Sequence, residues 1–415
     1  MKMHVDAAYR SLNKYGEELC GDKVKIIRAP DSTIAVLADG LGSEQHPDLA
    51  AVNEALAPFG KLFLRPGVKA NILSTLTSTI VSTMLNEGAS IAEVVETIAK
   101  TLPVCSVRKL AYSTFSVLQI FDDGTAHLVE FDNPPCIFVR NGKVVDLESR
   151  SELKEYGGKQ ISECTFSVRP GDVLALVSDG VIYAGVGQAL NFGWNWDNVS
   201  SWLAKTSTKE NSAPRLAVSL SEAVRELYLD KPGDDSTDLV IRIAPKSVVN
   251  MLSGPPVNKE DDNRMVHDFI TSYGKKVVCG GTSANIVARV LNRKIETSIN
   301  YVDPTIPPTG KIEGVDLVTE GVLTLSRTVD ILRDYLNKEA DSFYFHRLDE
   351  ENGAAMIAKM LLEECTDLHV FIGKAINPAH QNPGLPSDLS IKMKLIDELC
   401  ELVKKLGKNV EKVYY

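Results

Sequence analysis

Two strongly apolar runs end in the same way, and that shared ending constrains the fold more than any other feature of the chain. TIAVLADG closes on Asp39-Gly40 and DVLALVSDG closes on Asp179-Gly180. Runs rich in Val, Ile and Leu over this length read as buried strands. A buried strand that ends in a carboxylate presents the charge at the rim of its sheet. The third pair of this kind, Asp123-Gly124, lies between two strand-like runs and reads as a hairpin turn.

Around these two strands the first 245 residues carry further runs separated by turn signals: DKVKIIRAP, STFSVLQIFDDG, AHLVEFDN, CIFVRNGK and DLVIRIAP. Two stretches, Lys69 to Leu102 and Asp197 to Leu229, instead have helical spacing, as in Ile91, Val94, Val95 and Ile98. Helices covering sheets give a layered α+β domain. Past Ile243 the rhythm becomes strand, loop and helix, through SVVNML, KKVVCGG, VDLVTEG, LHVFIGKAINP and VEKVYY. A smaller second domain, 246–415, is therefore expected, α/β with a mostly parallel sheet.

Composition narrows the function. Forty-five basic against fifty-five acidic residues leave a net charge of −10, which disfavours nucleic acid and acidic membranes as partners. The seven cysteines show no CxxC pair, so neither a disulfide framework nor a structural zinc site is indicated. The start lacks a leader pattern and no apolar run is long enough to span a bilayer, so a cytoplasmic protein is expected.

Two more acidic points sit at strand ends, Asp22 just before VKIIR and Asp234-Asp235 just before DLVIRI. Four carboxylate positions that converge would repel one another without a counter-charge, which hard divalent cations supply. With no His or Cys at ligand spacing nearby, Mn²⁺ or Mg²⁺ fits better than zinc or copper.

The order and local sequence of these motifs resemble the metal-dependent type 2C protein phosphatases, most closely the bacterial branch typified by the stage II sporulation protein E phosphatase domain. The resemblance runs through GEELCGD (16–22), VLADGLGS (36–43), STFSVLQI (113–120), EFDNPPCIFVRNG (130–142), RPGDVLALVSDGV (169–181) and PGDDSTDLVIRI (232–243). It implies two packed β-sheets flanked by helices, with two Mn²⁺ or Mg²⁺ ions at one end. By it, Asp39 bridges both ions, the Gly40 carbonyl completes one, and Asp22, Asp179 and one of Asp234 and Asp235 supply the remaining carboxylates. The family pattern favours Asp234. Asp22, Asp39 and Asp179 would carry the catalysis.

The activity so implied is hydrolysis of phosphoserine or phosphothreonine in a regulatory partner protein, with metal-activated water as the nucleophile. Cys20 and Cys105 then read as small buried apolar residues. The alternative is a regulatory ligand-binding or scaffold protein whose phosphatase domain has low activity. Two departures qualify the resemblance. The eukaryotic enzymes have His after the Asp-Gly, whereas this chain reads DGLGS. In the branch a helix follows directly, whereas here 23 residues, Glu44 to Pro66, intervene before Gly67-Val68-Lys69-Ala70 resumes the pattern. That insertion reads as a short amphipathic helix with Asp48 as N-cap, either a lid or docking element carrying His46 or a tolerated surface insertion.

In the second domain SGPP, GGTS, TEG and KAINPAHQNPG all follow strands, so a parallel sheet gathers them on one edge. Gly280, Gly281, Thr282 and Ser283 open a helix, which suits a carboxylate or phosphate, or is simply an N-cap after a tight turn. No nucleotide fingerprint is present. The domain is expected to sense a small ligand, to dock a partner or to form a homodimer.

Overall fold

The computed structural model describes residues 3–40, 66–101, 113–156, 159–210, 212–297, 306–337, 341–375 and 388–415. The chain forms two compact units, Met1–Pro245 and Lys246–Tyr415. The insertion apart from Pro66, with His46 and Asp48, lies outside the described residues, as do Cys105 and most of KAINPAHQNPG.

The first unit is built from Met3–Leu12 (β1), Asp22–Arg28 (β2), Ser32–Gly40 (β3), helices Pro66–Asn86 (α1) and Ile91–Thr101 (α2), and Ser113–Phe121 (β4). Then come Thr125–Phe131 (β5), Ile137–Arg140 (β6), Lys143–Val145 (β7), Glu152–Tyr156 (β8), Lys159–Ser167 (β9) and Val173–Val177 (β10). Short helix Asp179–Ile182 (α3), helices Trp196–Thr206 (α4) and Ala213–Leu227 (α5), and Ser236–Pro245 (β11) complete it. Two antiparallel sheets result, in the orders β1-β11-β10-β6-β7 and β2-β3-β4-β5-β9-β8.

The apolar runs are explained by where their two faces go. Along β3, Ala35 and Leu37 enter a core shared with Leu174, Leu176, Leu239 and Ile241 of the other sheet. Ile34, Val36 and Ala38 pack instead with Val81 and Leu85 of α1 and Ile98 of α2. Along β10, Val173, Ala175 and Val177 do the same with Leu203 of α4 and Leu216 and Leu220 of α5. A strand with buried neighbours on both faces has no position for a polar residue until it ends, so the run is continuous and the Asp comes last. The order of layers is helix, sheet, sheet, helix, the sandwich that the resemblance implies. Asp123-Gly124 makes the β4–β5 turn, with Gly124 at φ +90°.

The second unit runs Val248–Ser253 (β12), Asp262–Thr271 (α6), Lys275–Cys279 (β13), Gly281–Leu291 (α7), Glu296–Thr297 (β14), Gly310–Ile312 (β15) and Val315–Thr319 (β16). It continues with Val322–Asn337 (α8), Ser342–Leu348 (α9), Gly353–Lys359 (α10), Asp367–Ile372 (β17), Asp388–Lys405 (α11) and Asn409–Tyr414 (β18). Its sheet has the order β14-β15-β16-β13-β12-β17-β18, and β16, β13, β12, β17 and β18 are parallel. Leu252, Val278, Val318 and Phe371 face Met265, Phe269 and Val287 of α6 and α7. By the two-residue period of a strand, Cys279 and Thr319 point to the opposite face. The antiparallel hairpin β14–β15 at one edge departs from the plain strand-and-helix rhythm, because strands of two or three residues leave no periodicity to read. Among the described residues no helix is long and apolar enough to cross a membrane.

Candidate metal centre

Five of the carboxylates singled out in the sequence gather at one rim of the sandwich. Asp22 opens β2 and Asp39 sits directly opposite it near the end of β3. Asp179 opens α3 immediately after β10, and Asp234 and Asp235 precede β11, the neighbour of β10. Backbone contacts too close for any side chain bring these pieces together. A Cβ on Gly40 would stand 2.0 Å from the Ala70 carbonyl oxygen of α1, and a Cβ on Gly180 2.0 Å from the Asp235 carbonyl oxygen. Both Asp-Gly pairs thus need glycine for the approach of a neighbouring backbone rather than for a left-handed turn.

Further bonds fix the rim. The Gly40 N–H donates to the Gly21 carbonyl at 3.2 Å, and the Asn71 side-chain amide donates to the Cys20 carbonyl at 2.8 Å, tying α1 to the loop before Asp22. The Ser178 N–H donates to the Thr237 carbonyl at 2.9 Å and the Ser178 hydroxyl accepts from the Thr237 N–H at 2.8 Å, which locks the start of α3 to β11. The Tyr228 hydroxyl donates to the Gly180 carbonyl at 2.8 Å.

The charges are poorly satisfied by the protein alone. Asp22 is 3% exposed and neither of its oxygens completes a hydrogen bond, although Ser178, Thr237 and Asp39 lie close enough to favour its ionised form. Burial outweighs them and pushes its carboxyl up to about 7. Asp39 is raised well above the usual carboxylate range, first by burial and then by Asp22 and Asp179. Asp179 is pushed up to about 6 by burial and by Asp234. Two carboxylates opposite one another on paired strands repel, so a cation is the natural partner of this group. Orphaned oxygens on a fully buried carboxylate, with oxygen donors around them, fit a hard divalent ion.

The Asp234-Asp235 pair divides its roles. Asp235 accepts from the Lys14 N–H at 2.9 Å and is turned toward Gly21, whereas the exposed Asp234 accepts from the Asp235 N–H at 3.1 Å, has the Lys14 ammonium at 3.7 Å and acts electrostatically on Asp179 and Asp39. Among the described residues no three acidic, His or Cys side chains close into a finished cage: Asp22 and Asp39 lean on each other, and Asp235 is turned aside.

Lys14, Ser178 and Thr237 are the neighbours that sequence reasoning passes over. Ser178 had a signal, since a Ser before a helix start is a common N-cap. Here its side chain serves β11 instead of capping α3. The Cys20 thiol is driven up by burial and by Asp22 and Asp235, so it stays protonated and has no nucleophilic character. Lys69 is buried in the first turns of α1, and burial lowers its pKa. Asn133 braces a turn, accepting from the Thr114 hydroxyl at 2.6 Å and donating to the Ser116 hydroxyl at 3.2 Å.

In the second unit the GGTS segment does open α7 at the C-terminal edge of the parallel strands. Ser283, however, is buried and its hydroxyl accepts from the Gly254 N–H at 2.8 Å, so that side chain braces the neighbouring loop.

A helix-flanked antiparallel sandwich with a carboxylate rim is the fold of the type 2C phosphatase class. Residues 66–244 match the family model described as Stage II sporulation protein E (SpoIIE), and the first unit is a SpoIIE-like member of that class. No curated protein matches the chain. Among solved structures, it is similar to the PP2C phosphatase domain and regulatory-domain fragment of SpoIIE from Bacillus subtilis. The identity is 17%, the TM-score 0.45, and the match covers 59% of this chain and 63% of that one. The RsbU and RsbW domains of a Mycobacterium tuberculosis protein give 17% identity and a TM-score of 0.41, over 58% of this chain and 60% of that one. PppA, a regulatory component of the T6SS of Pseudomonas aeruginosa, gives 17% and 0.36, over 58% of this chain and 98% of that one. The chain thus spans less than two-thirds of the first of these.

Proposed function

We propose that the first unit is a Mn²⁺- or Mg²⁺-dependent phosphatase that hydrolyses phosphoserine or phosphothreonine in a regulatory partner protein. The observation that carries this reading is Asp22, buried, without hydrogen bonds, and facing Asp39 across paired strands. Such an arrangement has a steep electrostatic cost unless it binds a cation. Asp22, Asp39, Asp179 and Asp234 would hold two ions, with the Gly40 carbonyl as a further ligand. Two such ions supply an activated water at neutral pH and neutralise the charge of a transferring phosphoryl group.

The chain's own residues do the rest. Ser178 and Thr237 bond each other behind the rim, fixing the start of α3 that carries Asp179 to β11, and Asp235 anchors the Lys14 segment at the rim. Lys14 places a cation beside Asp234, where an incoming phosphate would meet it. The protein substrate and its regulatory role rest on the SpoIIE family match alone.

The test is hydrolysis of p-nitrophenyl phosphate and of a phosphoserine peptide by the full chain with Mn²⁺, Mg²⁺ or EDTA. Turnover should require metal and fall on the order of 10²–10³-fold in Asp39→Asn and Asp179→Asn, the scale of losing one preorganised electrostatic contact. Metal-independent turnover, or full activity in both folded variants, would sink the reading.

A further inference from the structure

The edge of the parallel sheet in the second unit gathers helix starts and an ammonium group around one point. Helix α7 starts at Gly281 with no side chain capping it, and the exposed Gly281 and Thr282 begin its first turn. Helix α8 starts at Val322, and its leading residue Gly321 meets Gly280: a Cβ on Gly321 would stand 3.5 Å from the Gly280 Cα. Two helix N-termini, each with unspent N–H groups and the positive end of a dipole, therefore meet at one point.

Two side chains add to this. The Lys392 ammonium of α11 lies 3.8 Å from where a Cβ on Gly280 would be, and among the described residues no carboxylate forms an ion pair with it and no acceptor bonds it. Burial lowers its pKa, while the exposed Glu320 and the Cys279 thiol act on it from longer range. Thr319, at the end of β16, is 4% exposed and its hydroxyl has no hydrogen-bond partner. It adjoins the Cys279 thiol, too weak an acceptor to satisfy it, and that thiol faces Lys392. The Thr319 carbonyl accepts the Gly280 N–H at 2.9 Å, which ties the end of β16 to the α7 start.

A buried hydroxyl and a half-buried ammonium without partners among the described residues, beside two helix N-termini, describe an anion hole. The donors outnumber what the two oxygens of a carboxylate can accept, and a phosphate group offers three or four oxygens to a helix start. We propose that this crevice binds a phosphate group, held by the leading N–H groups of α7 and α8, the Lys392 ammonium and the Thr319 hydroxyl. The bond network assigns Ser283 to bracing the Gly254 loop, so within GGTS the backbone and not the Ser283 side chain does the binding. This site is independent of the phosphatase reading.

The experiment is calorimetric titration of the full chain in EDTA, which leaves the acidic rim without metal, using inorganic phosphate and, separately, ribose 5-phosphate at constant ionic strength. One-site saturable binding is expected, weakened at least about tenfold by Lys392→Gln, the scale of one charge-assisted hydrogen bond. Thr319→Val, which keeps the shape of the side chain, should weaken it several-fold, and Asp39→Asn should leave it intact. Binding of the ester alone makes the ligand a phosphorylated small molecule; equal binding of both makes it free phosphate. No saturable binding of either, or unchanged affinity in both folded Lys392 and Thr319 variants, would overturn the proposal.

Discussion

At the rim of the sandwich the charge is carried by side chains, and at the edge of the parallel sheet it is carried by the backbone. In the first, Asp22, Asp39 and Asp179 crowd together at the ends of antiparallel strands and repel one another. In the second, the starts of α7 and α8 meet at Gly280 and Gly321 with Lys392 beside them. The comparison shows how strand direction decides what a site is made from. Antiparallel strands bring both kinds of strand end to each rim, so polarity there must come from chosen residues. Parallel strands put every following helix start on one edge, so polarity comes with the topology.

The contrast is broken most directly by exchanging treatments between the units. Mn²⁺ should raise the unfolding temperature of the wild type and lose that effect in Asp39→Asn, while Lys392→Gln keeps it; a thermal melt of each variant with Mn²⁺ or EDTA reads this. Next in size, Ser178→Ala removes the acceptor of the Thr237 N–H behind the acidic rim. A loss of about 10–100-fold in metal affinity is expected, as for other groups that hold a ligand from behind, measurable as a higher Mn²⁺ requirement for turnover. Gly180→Ala forces a Cβ against the Asp235 carbonyl and should cost about 1–3 kcal/mol or more in urea unfolding.

The pH dependence of the metal-free protein follows from the raised carboxyls. Asp22, at about 7, and Asp179, at about 6, bind protons in the folded state more tightly than in the unfolded chain, where both titrate near 3.8. Between those values the native state holds the extra protons, so stability is highest below the unfolded pKa and falls as pH rises through 6 and 7. In EDTA the melting temperature should therefore drop between pH 5 and pH 8, and saturating Mn²⁺ should flatten that slope. The smallest effect is expected from Lys14→Ala. Its ion pair with Asp234 is largely exposed, and its loss should change stability by less than about 1 kcal/mol while tightening Mn²⁺ binding slightly.

The parts of this molecule that the sequence exposes are those written in contiguous residues. Asp39 and Asp179 stand out because each ends a strand covered on both faces, and the Gly after each is explained by a backbone that no Cβ could face. The helix-flanked sandwich and the mostly parallel second sheet follow from the same runs. What stays hidden depends on partners far along the chain. Lys14 meets Asp235 across 221 positions and Ser178 meets Thr237 across 59, and neither pairing leaves a local mark. The division between Asp234 and Asp235 arises from that Lys14 contact, so two adjacent carboxylates look equivalent until the first turn folds over them. The GGTS segment was legible as a helix start, but Lys392 and Thr319 belong to other elements, and only the parallel register brings them beside it.

The contact between Gly40 and Ala70 has one further consequence. It holds the end of β3 against the first turns of α1, so the two described ends of the intervening stretch, Gly40 and Pro66, lie near each other. The entropy of closing such a loop grows only with the logarithm of its length, about 0.6 kcal/mol for each doubling. Segments of very different size can thus be exchanged at that spot with little thermodynamic penalty. The junction works as a socket beside the acidic rim, in which the length of the inserted chain can vary while the strands that carry the carboxylates stay as they are.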